Sequence, residues 1–212
     1  MRTVLTYWEP VPALEPQGDL IDLWEDSWQA KGWETALLGR EDAEGHPQYE
    51  AMLKLAMERP TTCPREYLVA CHVRWLAFAE WIRANGPAVV SDYDVMNLSL
   101  APERLEGMPP TIIHAGMNPS TVWLPTLEDA EGIVTMLQLP TEPTNHGPGR
   151  WNLNDLECFQ QHWRHECWQD GASCWSQHHG REVLMHFPNW LCPVGMRKAD
   201  WVREAMGFLA VG

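Results

Sequence analysis

Within its first forty residues the chain alternates strand-like and helix-like patterns, and this alternation narrows its fold more than any other feature. Residues Val4 to Trp8 read as a short β-strand closed by Glu9-Pro10. The stretch from Glu9 to Gln17 carries three prolines and reads as a loop. From Asp19 to Lys31, Leu20, Leu23, Trp24, Ser27 and Trp28 recur at three- and four-residue spacing, the period of an amphipathic helix. Gly32 follows as a stop, and Trp33 to Leu38 reads as a second strand. Parallel neighbours need a long, usually helical crossover, so strand, helix, strand in this order opens a parallel α/β sheet.

The pattern continues along the chain. Pro47 to Glu58 reads as a helix ended by Pro60, and Arg65 to Asn85 as the longest helix, terminated by Asn85-Gly86-Pro87. Ala88-Val89-Val90 is a short apolar run of the kind buried in a central strand. Beyond it, Thr111 to His114 reads as a strand, Glu128 to Leu137 as a helix, and Leu153 to Gln169 as a helix capped by Asn152 or Asn154. Glu182 to Phe187 reads as a last strand and Ala199 to Phe208 as a closing helix. Pro102 to Pro110 and the Pro- and Gly-rich Pro140 to Gly149 read as loops. With 212 residues and 45% hydrophobic content, the expectation is one α/β domain over residues 1–212, a mostly parallel sheet flanked by helices.

Charge excludes several functions. The 29 acids against 15 bases leave a formal charge of −14, which repels phosphate backbones and disfavours direct binding to duplex nucleic acid or an anionic lipid surface. The N-terminus turns polar too soon for a signal peptide, and no apolar run approaches a membrane span of ~20 residues. The expected location is cytoplasmic, where the six cysteines stay reduced. Cys158, His162, His165, Cys167, Cys174, His178 and His179 fall within 22 residues, yet their spacing fits no familiar zinc module. Buried thiols and surface histidines are the simpler reading. Thirteen tryptophans are expected to be mainly structural, with some free to stack on a ligand.

The chemistry concentrates at Ser91-Asp92-Tyr93-Asp94, directly after the Ala88–Val90 strand. In an open parallel sheet, ligands bind at the carboxyl ends of strands. Two carboxylates one residue apart there suit a hard divalent ion, Mn²⁺ or Mg²⁺, held through oxygen. Alone, the Asp-Xaa-Asp pattern is common and says little; its place at a strand end gives it weight.

Context adds a resemblance. Arg74-Trp75-Leu76-Ala77, then Asn85-Gly86, then Ser91-Asp92-Tyr93-Asp94-Val95 resembles the central block of the DXD nucleotide-sugar glycosyltransferases of GT-A fold. Tyr7-Trp8, Ser27-Trp28 and Gly32-Trp33-Glu34 are similar to the start of bacterial capsular-polysaccharide transferases of that type. The likeness covers residues 1–100 and thins beyond. It implies a GT-A-like, Rossmann-type fold, with a donor and metal half over 1–100 and an acceptor half over 101–212. It also implies a metal-dependent glycosyltransferase, hexosyl or pentosyl and of the retaining kind, although no residue here fixes the stereochemistry.

Carried over residue by residue, the resemblance makes Asp94 the direct metal ligand and gives Asp92 the ribose, the sugar or a water-bridged metal. Arg74 would face the donor sugar or phosphate, and Thr6, Tyr7 and Trp8 would line the nucleotide pocket. His186 would be a late metal ligand or a diphosphate contact, Arg197 and Lys198 would neutralise the leaving phosphates, and Asp155 would bind the acceptor or assist chemistry. The donor would be a UDP- or GDP-sugar, and the acceptor a glycan, a protein or a modified nucleobase.

Each residue also has a plainer reading: core packing for Tyr7 and Trp8, an ion pair with Glu66 or Glu80 for Arg74, a satisfied core imidazole for His186. Arg197 and Lys198 could instead form a solvated pair with Asp200, and Asp155 could be a helix N-terminal acid favoured by the dipole. Two other functions stay open: a non-catalytic sugar- or nucleotide-binding module, and a metal-dependent nucleotidyl or phosphoryl transferase. The latter would usually want a third carboxylate nearby.

Overall fold

A computed structural model describes residues 2–12, 17–113, 119–145, 151–167, 172–174, 183–188 and 191–211. The opening alternation is present as β1 (Thr3–Tyr7), α1 (Gly18–Gln29) and β2 (Glu34–Leu38), with β2 parallel to β1. Next come α2 (Tyr49–Glu58) and α3 (Arg65–Asn85). Gly86 ends α3 at φ 98°, a backbone angle that L side chains rarely adopt, which explains the abrupt stop before β3 (Ala88–Ser91).

β4 (Val95–Asn97), β5 (Thr111–Ile112) and β6 (Thr121–Leu124) follow, then α4 (Leu127–Met136). The remaining elements are β7 (Thr144–Asn145), β8 (Trp151–Asn152), α5 (Asp155–His162), β9 (Glu166–Cys167), β10 (Ala172–Cys174), β11 (Leu184–His186) and α6 (Lys198–Val211).

Six strands form the central sheet in the order β2-β1-β3-β6-β5-β9. The β1–β2, β1–β3 and β5–β9 pairs are parallel; β6 runs antiparallel to both neighbours. A second sheet, β10-β11-β4, stands beside it, and β7 and β8 make a two-stranded ribbon. The result is one α/β domain whose mostly parallel sheet has helices on both faces.

Strand alternation sorts the core into two layers. Leu5, Tyr7, Val90, Val122 and Leu124 face one way, onto α2, α3, α4 and α5. Val4, Val89 and Trp123 face the other, onto α1, α6 and the small sheet. Indole N–H groups tie this second layer to the backbone of β4 and of two loops. Trp28 donates to the Val95 carbonyl (3.1 Å), Trp33 to Leu100 (2.7 Å) and Trp123 to Met108 (3.1 Å). Each such bond contributes on the order of 1 kcal/mol net, in addition to the apolar area of the ring.

The C-terminal half departs from the sequence pattern. The helix expected over Leu153–Gln169 ends at His162. Of the two candidate caps, Asn154 rather than Asn152 takes the role, reciprocally with Glu157. Trp163 then turns extended, stacks on Phe159 and donates to the Glu166 carbonyl, while Arg164 donates to the Gln161 and Trp163 carbonyls. These local bonds draw the chain out of helix and into edge strand β9. β4 and β6 were not expected; both are short and bounded by Asp, Ser or Pro. His114 and Glu182 lie outside the described residues.

The Cys/His cluster does not converge among the described residues. Cys158 is buried and accepts from Arg59 (3.1 Å), His162 contacts Thr141 and the Pro140 carbonyl, and His165 packs edge-on to Trp163. Cys63, Cys71, Cys158 and Cys192 are free thiols. The Cys174 side chain, His178 and His179 lie outside the described residues.

His72, wholly buried on α3, has Nδ1 against the Leu68 carbonyl (2.9 Å) and Nε2 facing the buried Arg59 guanidinium. Burial, reinforced by Arg59, pushes its pKa down to about 4. A histidine depressed in the folded state stabilises the fold above its ordinary pKa, and that contribution is lost as pH falls through about 4. Urea unfolding of the wild type should therefore lose on the order of 3 kcal/mol between about pH 6.5 and 4 through this group. His72→Gln should show a shallower decline over the same interval; identical slopes would rule His72 out as the cause.

Candidate active site

The two aspartates sit where the chain leaves the central sheet for the small one. β3 ends at Ser91, the Asp92 N–H donates to the Ser120 carbonyl (2.7 Å), and the Val95 N–H closes a turn onto the Asp92 carbonyl (3.1 Å). β4 starts at Val95 and pairs antiparallel with β11, His186 opposite Val95. The Phe187 N–H donates to the Asp94 carbonyl (2.8 Å), which locks the turn against β11. This register carries His186 to Asp94 across a sequence gap of about ninety residues.

One ligand atom each from Asp92, Asp94 and His186 lies within 4.8 Å of the others. Among the described residues no other group of three or more His, Cys, Asp or Glu converges in this way. Asp94 Oδ1 is buried and accepts no hydrogen bond, with His186 Nε2 3.5 Å away. Its other oxygen accepts from Lys198 Nζ at 2.6 Å. Burial alone would raise the Asp94 carboxyl, but Lys198 and His186 outweigh it and hold the group well below the usual range. Asp92 is raised: burial, with help from the Asp94 charge, prevails over the pull of Arg74. Two carboxylates, one with an orphaned oxygen, beside an imidazole are a donor set that suits a hard divalent ion.

Arg74 anchors the other side. Its guanidinium donates to Asp92 and twice to Asp155 Oδ2, through Nη2 and through Nε at 3.0 Å. The same Asp155 oxygen accepts from the Trp75 indole (2.9 Å). Arg74 thus pairs with acids across the fold rather than with Glu66 or Glu80. Asp155 is the first residue of α5, buried and engaged by three donors; it supports Arg74 from behind.

These groups border a cleft of about 370 Å³ lined by Tyr7, Trp8, Glu9, Tyr67, Cys71, Arg74 and Asp92 to Asp94, among others. Tyr67, Cys71 and Arg74 lie four and three residues apart, so helix geometry alone places them on one face of α3. That spacing was visible in the sequence, although Tyr67 and Cys71 read only as apolar helix positions. Glu9 was also missed. It forms a bidentate pair with Arg40 just past β2, with distances of 2.7 and 2.9 Å. No spacing rule links residues 9 and 40; only the parallel β1–β2 register brings them together.

Of the other expected residues, Tyr7 and Trp8 line the cleft, and Thr6 is wholly buried outside its lining. Lys198 reaches Asp94, whereas Arg197 is largely exposed and pairs with Asp19. Asp200 takes Arg203.

No family model matches this sequence, and no curated protein does. A solved structure matches the fold: a glycosyltransferase involved in the glycosylation of the major capsid of PBCV-1. The TM-score is 0.53 at 10% identity, over 96% of this chain and 98% of that one. The chain has a glycosyltransferase-like fold. The likeness runs nearly end to end, well beyond the first hundred residues that carry the sequence resemblance.

Removing one partner of a buried ion pair leaves the other charge uncompensated. Asp155→Asn should therefore destabilise the fold by about 3 kcal/mol in chemical unfolding. Glu66→Gln, outside this network, should change stability by about 0.5 kcal/mol or less. Equal effects of the two substitutions would show that the Arg74–Asp155 link carries no special stability.

Proposed function

We propose that this protein is a metal-dependent glycosyltransferase that takes a sugar from a UDP- or GDP-sugar to an acceptor. The observation that carries the reading is the orphaned Asp94 oxygen, converging with Asp92 and His186 at the edge of the cleft. The glycosyltransferase-like fold supports it.

Asp94 and His186 would hold Mn²⁺ or Mg²⁺, with Asp92 as a further ligand, directly or through water. Such an ion supplies positive charge that stabilises a departing diphosphate. Arg74, fixed between Asp92 and Asp155, would present its guanidinium edge to the donor's phosphate or sugar. Tyr7 and Trp8 would form the wall against the nucleotide, where a planar side chain can stack on a base. Asp155 would act as a positioning residue, since its side-chain hydrogen bonds among the described residues run to Arg74 and Trp75. A phosphoryl-transfer reading is less favoured, because the third nearby acid, Asp155, is committed to Arg74.

The test is a panel of nucleotide-sugars screened by thermal shift with and without Mn²⁺. The expected result is stabilisation by a UDP- or GDP-sugar only when metal is present, about 2.7 kcal/mol at 100 times Kd. Asp94→Ala should abolish the metal-dependent part. Unchanged metal-dependent binding in Asp94→Ala would sink the assignment, and stabilisation by free sugar alone would point to a binding module.

A further inference from the structure

The cation nearest to Asp94 belongs to the protein itself. Lys198 is the first residue of α6, and its ammonium sits 2.6 Å from Asp94 Oδ2. Both side chains are largely buried, at 10% and 14% exposure, so water screens the pair poorly. The opposite oxygen of the same carboxylate is the orphaned one that faces His186. A divalent ion on Asp94 and an ammonium on Asp94 would be like charges sharing one small, largely buried carboxylate.

From this juxtaposition we infer that Lys198 is a competing cation, which holds Asp94 in the free protein and yields it to the metal when a diphosphate arrives. The inference rests on the metal reading above and adds to it a coupling between metal and donor. A lysine has a flexible four-carbon stem and a point charge, so it can leave one anion for another by rotation. Asp94 and Arg74 border the same cleft, which places the ammonium beside the volume a nucleoside diphosphate would fill. The two phosphates would take the displaced charge, and the metal would gain an unshared Asp94. Metal and diphosphate would therefore each tighten the binding of the other by one common factor, as linkage requires.

His186 does not supply such a switch. It is carried on β11 by the register that sets Asp94, so strand pairing fixes it to the same turn. Lys198 comes from a separate element, α6, which Ala199, Trp201, Val202 and Ala205 anchor in the core, so the part free to swing is the lysine side chain.

The test compares Mn²⁺ binding to wild type, Lys198→Met and Lys198→Arg by titration calorimetry, each with and without UDP and GDP. Lys198→Met keeps the apolar stem and removes the charge; circular dichroism establishes that each variant folds. The expected result is Mn²⁺ affinity about tenfold or more tighter in Lys198→Met without nucleotide, and a much smaller further gain when nucleotide is added. Lys198→Arg, with its charge intact, should remain close to wild type without nucleotide. Equal Mn²⁺ affinity in wild type and Lys198→Met would overturn the role given to Lys198 while the metal reading stands. Absence of Mn²⁺ binding in every folded variant, with or without nucleotide, would overturn both.

Discussion

A guanidinium taken out of water must find carboxylates, and in this molecule that requirement joins three parts of the fold at Arg74. The side chain leaves α3 and is met by Asp92 from the end of β3 and by Asp155 from the start of α5. Burial of such a charge is costly, and the attraction to two acids offsets it only when the geometry is tight. The Trp75 indole adds a further donor to Asp155, so the acid is fixed before Arg74 is counted. Asp155 is itself set by the Asn154–Glu157 cap that starts its helix. A local capping preference in the C-terminal half thus determines where an arginine in the N-terminal half can point.

Much of this could be read from the amino-acid order, and the parts that could are those governed by local rules. The β1–α1–β2 opening, the α3 stop at Gly86 and the apolar β3 each follow from periodicity or from one residue's backbone freedom. So does the placement of Asp92 and Asp94 at a strand end. What escaped depends on pairing at a distance. β6 has four residues and no distinctive pattern, and it exists because β3 and β5 flank it. The length of α5 is decided around Trp163, whose ring stacks on Phe159 and whose indole N–H donates to the Glu166 carbonyl as the chain turns extended. Glu9 with Arg40 and Lys198 with Asp94 are pairs that no spacing argument could join.

The tryptophans illustrate how composition becomes architecture. The ones at positions 24, 28 and 33 pack against one another beside the sheet, with centroid separations of 6.4 and 5.4 Å along the series. Two of them also reach over to the backbone of the segment 95–100, which follows the aspartates. A phenylalanine would fill much of the same layer but could not hold that segment by a hydrogen bond. The layer behind the candidate site is therefore both its packing and its tether.

The pairing of β4 with β11 bears on how far the molecule can be taken apart. Among the described residues β11 is the one strand that pairs with β4, so the strand next to the aspartates owes its ladder to a segment near the other end of the chain. The first hundred residues are thus not a module that evolution or an engineer could detach and graft elsewhere. The carboxylates would travel with the fragment, while the imidazole, the ammonium and the strand that spaces them would stay behind. Recombination across this fold would have to exchange both chain segments together, because they form one composite unit divided in sequence and continuous in space.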